Sequence, residues 1–551
     1  VVSCDEAPVT ETRVDVDDGL PLTVPSLLAE RAAVRGAHPL LVCDDQVLTY
    51  ADAVSRSADL ARGLLADGVG KGTHVGILHP NGPDFVVAWL AAARLGAVAL
   101  PISTFSTSAE LSGLLRNADV EVLLATTGYR NRDFVADLTE AVPGLDLAQV
   151  PPLLTSSTPA LRRIAFDRSS GAMAPEWSVD ALVAEGAGVS DELLGAAGAA
   201  VRPSDRMVIV HTSGSTSAPK GVIHQHGPLI RHLDNLNQLR RYTAEEVLFS
   251  NSPFFWIGGF AYGLLGTLLA GATLVCSNST DATAVLDLLE GARPTMVNGF
   301  AASVAHLAED PSFASRDLSS IRRGNLWPIM PASTRPADPE LRHNMLGMTE
   351  AGSVCLASDD ETDQPEPRRG SFGRPVPGFE ARIVDRESGE ECPVGQVGEL
   401  WFRGPFLMEG YYGRTRGETF TPDGWYRTGD LFHVDGDGFF YFSGRDGDMI
   451  KTAGANVSPR EVEAAIVEAT GLVSHVVGID DPDRGQVVAA AVRLPCDQVA
   501  PDVDELRAAL RKVLSAYKVP QRFLYLADED VPMMSSGKLD PRALKARFVE
   551  G

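Results

Sequence analysis

The sequence reads as an α/β protein of two or more domains, and three observations support that reading. A chain of 551 residues exceeds what one hydrophobic core usually holds. Short apolar runs that fit buried strands, such as residues 40–43 (LLVC) and 207–210 (MVIV), stand among segments with helical apolar spacing. After Gly373 the pattern changes to short strands punctuated by Asp and Gly turns, and beyond Arg445 to a smaller mixture of helices and strands.

Taken in order, the first twenty or so residues are expected to form an acidic polar tail with no apolar signal core. Residues 24–65 place helical spacing around the strand at 40–43. Residues 85–102 are apolar but broken by Arg94, Gly96 and Pro101, which fits a buried helix running into a strand better than a membrane span. Residues 155–205 are rich in Ser, Ala, Gly and Pro, poor in pattern, and expected to be a variable stretch. From 247 to 280 there is no Asp, Glu, Lys or Arg. One reading of this run is a helix and strand buried on all sides. The other is that Trp256, Gly259 and Phe260 line an apolar pocket, the glycines leaving space beside the rings. Strands are expected at 381–384, 398–402 and 438–442. In the last unit, helices are expected at 459–469 and 503–516, with strands at 473–479 and 487–492.

Hydrophobic residues at 44% and charged residues at 22% are ordinary for a globular protein. The net charge of −25 argues against nucleic acid and anionic membrane as main partners. It does not exclude an anionic ligand, because the local field counts for more than the sum. The six cysteines are scattered in sequence, which fits a reducing cytoplasm better than a disulfide framework or a zinc site. His224, His226 and His232 invite a metal reading, but no third ligand stands at a compelling spacing.

The most informative segment is HTSGSTSAPKGV, residues 211–222. A turn built from Thr212, Ser213, Gly214, Ser215 and Thr216 lets backbone N–H groups and hydroxyls surround an oxyanion. Lys220 adds positive charge, so the segment suits a polyphosphate. It is not a P-loop NTPase motif, since no Gly precedes the Lys and no Ser or Thr follows it.

The run resembles the phosphate loop of the adenylate-forming (AMP-binding) superfamily, which includes acyl-CoA synthetases, luciferases and peptide-synthetase adenylation domains. Four further motifs follow in the order that family requires, and the resemblance covers the chain from about Leu48 onward. In NMLGMTE, residues 344–350, it implies that Asn344 and Met348 lie at the nucleotide and acyl site, that Thr349 contacts phosphate, and that Glu350 holds Mg2+. In GWYRTGD, residues 424–430, it implies that Asp430 accepts from both ribose hydroxyls. In the segment 444–459 it implies that Arg445 reaches the nucleotide, that a hinge follows near 445–447, and that Lys451 and Gly454 serve a second half-reaction with CoA. Gly447 stands where the family usually has Asp or Lys. In MSSGKLD, residues 534–540, it implies that Lys538 bridges substrate carboxylate and α-phosphate. Two departures concern the adenine pocket. Leu346 replaces the usual aromatic residue, and Arg323-Gly-Asn-Leu replaces a Gly-Gly-Ala run.

The resemblance implies a large N-terminal domain, residues 1–445, of stacked parallel-type sheets with helices and a small β-barrel-like subdomain. A smaller mobile α+β C-terminal domain, residues 446–551, would follow. It also implies a cytoplasmic ligase that uses ATP, Mg2+ and CoA to convert a small carboxylic acid first to acyl-AMP and then to acyl-CoA. The charge-free run near Phe255 and Trp256 argues against an amino-acid substrate, whose ammonium group would need a buried anion. An apolar fatty or lipid-derived acid is therefore expected. No carrier module is expected beside the unit, which favours free CoA. An acyl-carrier protein as acceptor, a non-catalytic nucleotide-binding relative and a homodimer stay open.

Overall fold

The computed structural model describes residues 19–168, 171, 173–212, 219–445, 449–495, 498–527, 530–532 and 539–550. Two sheets of mainly parallel strands form its larger part. In the seven-stranded sheet, the strands Arg206–Thr212, Val98–Pro101, His74–Leu78, Val122–Ala125 and Arg163–Phe166 run parallel in that order. Lys220–Gln225 and Gly410–Tyr411 extend it antiparallel at one edge. The six-stranded sheet runs Arg323–Gly324, Met296–Asn298, Val247–Ser250, Thr273–Cys276, Pro39–Cys43, Gln46–Thr49, with only the last pair antiparallel.

Such strands need cover on both faces, because every residue of His74–Leu78, Val98–Pro101 and Val122–Ala125 is buried. The helix Pro83–Arg94 supplies part of that cover. Ten of its twelve residues are buried, with Phe85 edge-on to Phe254 and Trp89 edge-on to Phe260. A helix apolar on all sides belongs between layers, as expected from 85–102. Pro83 at its first turn, preceded by Gly82 at φ +156°, fixes where it starts.

The patternless stretch 155–205 is more ordered than expected. It holds the strand Arg163–Phe166 and the helices Val179–Glu185 and Asp191–Ala199. Ser178 and Ser190 cap those helices by accepting from the backbone N–H of Ala181 and Leu193. The strand is hidden from pattern reading because it begins on a buried arginine, Arg163, neutralised by Asp67 and Glu185.

Two antiparallel sheets follow. One pairs Leu346–Met348, Ser353–Ala357 and Arg374–Pro375; the other pairs Glu380–Val384, Gly398–Arg403, Tyr426–Val434 and Phe440–Arg445. The strand expected at 438–442 starts two residues later because Gly438 occupies the turn at φ +80°.

The last unit is a five-stranded sheet of Ala455–Val457, Ile450–Thr452, Gly485–Arg493, Ser474–Asp481 and Arg522–Leu526. The helices Pro459–Thr470, Val503–Leu510 and Pro541–Glu550 accompany it. The helix expected to reach 516 ends at Leu510. Ser515 is extended, and a single 3-10 turn at Ala516–Lys518 leads to Pro520. Among the described residues no helix is long and apolar enough to cross a membrane.

Candidate active site

The antiparallel pair Arg206–Thr212 and Lys220–Gln225 places Thr212 directly opposite Lys220. The two residues are thus the anchors of the segment 213–218. Ser213, Gly214, Ser215 and Thr216 lie outside the described residues. The Lys220 Nζ sits 5.1 Å from the centre of the Tyr411 ring.

Thr349 and Glu350 occupy the 3-10 turn Thr349–Ala351, which joins Leu346–Met348 to Ser353–Ala357. The turn closes on Gly352 at φ +73°, where a Cβ would come within 2.7 Å of Leu229 and 3.3 Å of His224. Two side chains from the neighbouring sheet hold this turn. His224 donates from Nε2 to the Thr349 carbonyl at 2.7 Å, and Tyr411 donates to Glu350 Oε1 at 2.7 Å. The Tyr411 hydroxyl also lies 3.0 Å from that of Tyr426, and the Glu350 carbonyl accepts from the Met408 N–H. Burial lowers the His224 ring to about 4, so it is neutral and keeps its donor. Burial and then the Glu350 charge push the Tyr411 phenol far above its ordinary range.

Asp430 lies on Tyr426–Val434, opposite Arg445, and is 7% exposed. Its N–H donates to the Thr428 hydroxyl at 3.0 Å. The Arg445 side chain lies outside the described residues. Burial, then the Asp430 charge and more weakly that of Glu350, raise the Cys355 thiol strongly. That thiol donates to the carbonyl of Leu346, which is itself buried in the core. Asn344 is exposed, and its backbone N–H donates to the Ser371 carbonyl at 2.7 Å. Met348 is half-buried beside Thr349.

The charge-free run divides between the core and a half-buried aromatic cluster. Trp256 is half-buried and meets Phe105, Phe255 and Phe300 edge-on at 6.2, 5.6 and 5.7 Å. Phe260 faces the other way. It is fully buried against Trp89, so it supports the π-type helix Gly258–Leu265 from the core side instead of lining an open pocket. Gly259 is also buried, and a Cβ there would meet the Pro253 carbonyl at 2.1 Å. Its role is close backbone packing, not space beside a ring.

The backbone of Gly299 and Phe300 is held by two side-chain amides, those of Asn325 and Asn251. Asn251 accepts from the Phe300 N–H and donates to its carbonyl, at 2.9 and 3.0 Å. Asn325 makes the same pair of bonds with Gly299, both at 3.0 Å. Asn325 stands in the run that replaces Gly-Gly-Ala, so that departure carries a structural role.

The C-terminal unit brings a hairpin to this wall. Ile450–Thr452 pairs with Ala455–Val457, and Ala453 and Gly454 turn between them at φ +47° and +86°, a two-residue loop with both central residues left-handed. A Cβ on Gly454 would lie 2.3 Å from the Phe300 ring. Lys451 is exposed on the same hairpin, its Nζ 5.6 Å from the centre of the Phe442 ring. Gly447 and Lys538 lie outside the described residues.

The three histidines do not converge on a metal. His224 serves Thr349, His226 accepts from the Val24 N–H at 3.2 Å, and His232 is stacked on Phe406 and edge-on to Phe379. Tyr411 is legible in sequence only as part of a Gly-Tyr-Tyr-Gly turn, with nothing tying it to Glu350.

Comparison with known proteins places these features in a wider set. A family model described as AMP-binding enzyme matches residues 28–412, and one described as AMP-binding enzyme C-terminal domain matches residues 461–538. A feruloyl-CoA synthase from Amycolatopsis is 32% identical over 91% of this chain and 94% of its own length. A putative acyl-CoA synthetase, YngI, from Bacillus subtilis is 29% identical over 96% and 97%. Among solved structures, the amide bond synthetase McbA from Marinactinospora thermotolerans has a TM-score of 0.76 at 25% identity, covering 95% of this chain and 99% of that one.

Proposed function

From the premise that this chain belongs to the AMP-binding enzyme family, we propose that it activates an apolar carboxylic acid and delivers the acyl group to CoA. Its broad chemistry is that of an AMP-forming acid–thiol ligase using ATP, Mg2+ and CoA. The acid class and the individual site roles are our reading.

A carboxylate is a poor electrophile because oxide is a poor leaving group. In the first step its oxygen attacks the α-phosphorus of ATP, and the bond to pyrophosphate breaks. In the second, a thiolate attacks the carbonyl carbon of the acyl-AMP, and AMP leaves. The protein's part is positioning and charge stabilisation. Thr212 and Lys220 flank the triphosphate, Thr349 donates to the α-phosphate, and Asp430 accepts from the ribose hydroxyls. The oxygen donors of Glu350 and Thr349 suit Mg2+, a hard cation, which would offset the triphosphate charge when bound. Tyr411 holds one Glu350 oxygen and so fixes the direction of the other. Lys538 would reach the α-phosphate in the first step, and the Gly454 hairpin would line the thiol's approach in the second.

The single observation that carries this reading is a continuous hydrogen-bonded unit. The strand that follows the 213–218 segment reaches Thr349 through His224. The strand beside it reaches Glu350 through Tyr411, and Tyr411 reaches Tyr426, on the strand that carries Asp430. Elements that carry motifs more than two hundred positions apart in sequence are thus joined by hydrogen bonds.

The apolar acid is supported by the cluster of Trp256, Phe105, Phe255 and Phe300. No charged side chain occurs in the run 247–280 that supplies two of those rings. An incubation with MgATP, CoA and a mixture of octanoate, cinnamate, phenylalanine and sulfoacetate, read by mass spectrometry, tests it. We expect acyl-CoA from octanoate or cinnamate. Phenylalanyl or sulfoacetyl thioester as the main product would overturn the apolar assignment, and acyl-AMP without acyl-CoA would overturn CoA as acceptor.

A further inference from the structure

The C-terminal domain touches the N-terminal domain at a second place, away from the Gly454 hairpin. Lys518 donates to Glu110 Oε1 at 2.6 Å and to Glu461 Oε1 at 2.8 Å. The Ser515 hydroxyl donates to Glu110 Oε2 at 2.6 Å. Glu110 belongs to the N-terminal domain, at the third position of the helix Ser108–Asn117, where it also accepts from the Thr107 N–H. Glu461 belongs to the C-terminal domain, in the first turn of Pro459–Thr470. The three side chains are 6%, 15% and 13% exposed for Lys518, Glu110 and Glu461. Next to them Tyr517 meets Phe105 edge-on at 6.1 Å, and Phe105 in turn meets Phe255 and Trp256. The contact is therefore continuous with the aromatic wall of the acyl site.

We propose that Glu110 and Lys518 are the positioning pair that holds the C-terminal domain in the thioester-forming pose, with the Gly454 hairpin against Phe300. The proposal rests on reading the chain as an acid–thiol ligase.

The charges make this contact conditional and reversible. In the docked pose two carboxylates share one ammonium group. Without Lys518 they would face each other as buried like charges, so docking requires that cation. When the domain swings away, Lys518 keeps Glu461, and Glu110 returns to water on its own domain. No buried charge is stranded on either side, which keeps release cheap. Neither residue touches the reacting atoms; both act through the place of the hairpin.

The clean substitution is Glu110→Gln. It removes the charge but keeps the oxygen that caps the helix, since Gln serves the capping box as Glu does. Glu461→Gln is its counterpart, because it leaves Lys518 with Glu110 as its acidic partner. The first readout needs no substrate. Spin labels at Leu154→Cys and Val473→Cys, with Cys4 and Cys496 replaced by Ser, report the interdomain distance in the full chain. We expect one dominant distance in the parent and in Glu461→Gln, and a broadened or shifted distribution in Glu110→Gln. The second readout separates the half-reactions with octanoate as probe acid. Glu110→Gln should slow thioester formation from pre-formed octanoyl-AMP by about tenfold or more, while adenylate formation changes by less than about twofold. An unaltered distance in Glu110→Gln, or equal loss in both half-reactions, would overturn the proposal. Absence of any thioester in the parent would instead count against the ligase reading, and the distance measurement would still decide the positioning pair.

Discussion

The Tyr411 hydroxyl lies 2.7 Å from Glu350 Oε1 and 3.0 Å from the Tyr426 hydroxyl. This buried relay joins the edge of the seven-stranded sheet to the turn that carries the proposed metal-holding carboxylate. A hydrogen bond to a charged group contributes about 1.5–3 kcal/mol, and one removed from a buried partner costs more than one on the surface. Tyr411→Phe should therefore lower the adenylation rate by roughly tenfold and raise the Mg2+ concentration needed for half-maximal rate. Pyrophosphate exchange measured across a Mg2+ titration checks this. A variant with unchanged rate and unchanged Mg2+ dependence would remove Tyr411 from the site.

Stability should fall on mild acidification. Burial lowers the rings of His211, His224 and His226 to about 4 and that of His232 to about 3. The unfolded chain takes up protons on these rings below pH ~6.5, where the folded chain does not. Stability contributed by the neutral rings is thus present above that pH and is lost as pH falls towards the folded values. Each ring should contribute about 1 kcal/mol of loss between pH 7 and 5.5. Urea unfolding at those two pH values reads the effect, and an unaltered midpoint would mean the rings are not held neutral.

Trp256→Ala should change which acids are used. Removing an indole from the cluster it shares with Phe105, Phe255 and Phe300 would open space in the proposed acyl site. We expect kcat/KM ratios between short and long acids to shift by about tenfold or more, in favour of the longer or bulkier acid. A proportional loss for all acids would assign Trp256 to support alone.

Gly454→Ala should act on one half-reaction. The new Cβ would stand 2.3 Å from the Phe300 ring, at a φ of +86° that non-glycine residues adopt at a cost. Thioester formation should slow by roughly tenfold while adenylation is spared. Adding Phe300→Ala should restore part of the lost rate by removing the clash. No recovery in the double variant would locate the defect in the turn itself.

Much of the candidate site is legible in the sequence because the chemistry proposed for it is carried by contiguous residues. Thr349-Glu350, Asp430 and Lys220 stand inside short motifs, and Tyr411 meets two of these residues, Glu350 by a hydrogen bond and Lys220 across its ring. What escapes depends on pairing across long separations. Nothing in the sequence joins Lys518 to Glu110, 408 positions away. The charge-free run announces burial but not which face meets the core, so Phe260 and Trp256 read alike although they point to opposite sides. His224 has no role that the sequence assigns, since its metal reading lacks a third ligand, and it braces the turn of Thr349. The helices after 155 are hidden for a different reason: they are only seven and nine residues long, the second is rich in Ala and Gly, and capping serines mark their starts.

The most direct test of an acyl-adenylate route follows one oxygen atom. An acid labelled with 18O in both carboxylate positions is incubated with the enzyme, MgATP and CoA, and AMP, pyrophosphate and phosphate are analysed by mass spectrometry. Attack of the carboxylate on the α-phosphorus, followed by thiolysis at carbon, places one 18O in AMP and none in pyrophosphate. Label in phosphate or pyrophosphate, with unlabelled AMP, would contradict that route and with it the proposed roles of Lys220, Thr349, Glu350 and Asp430.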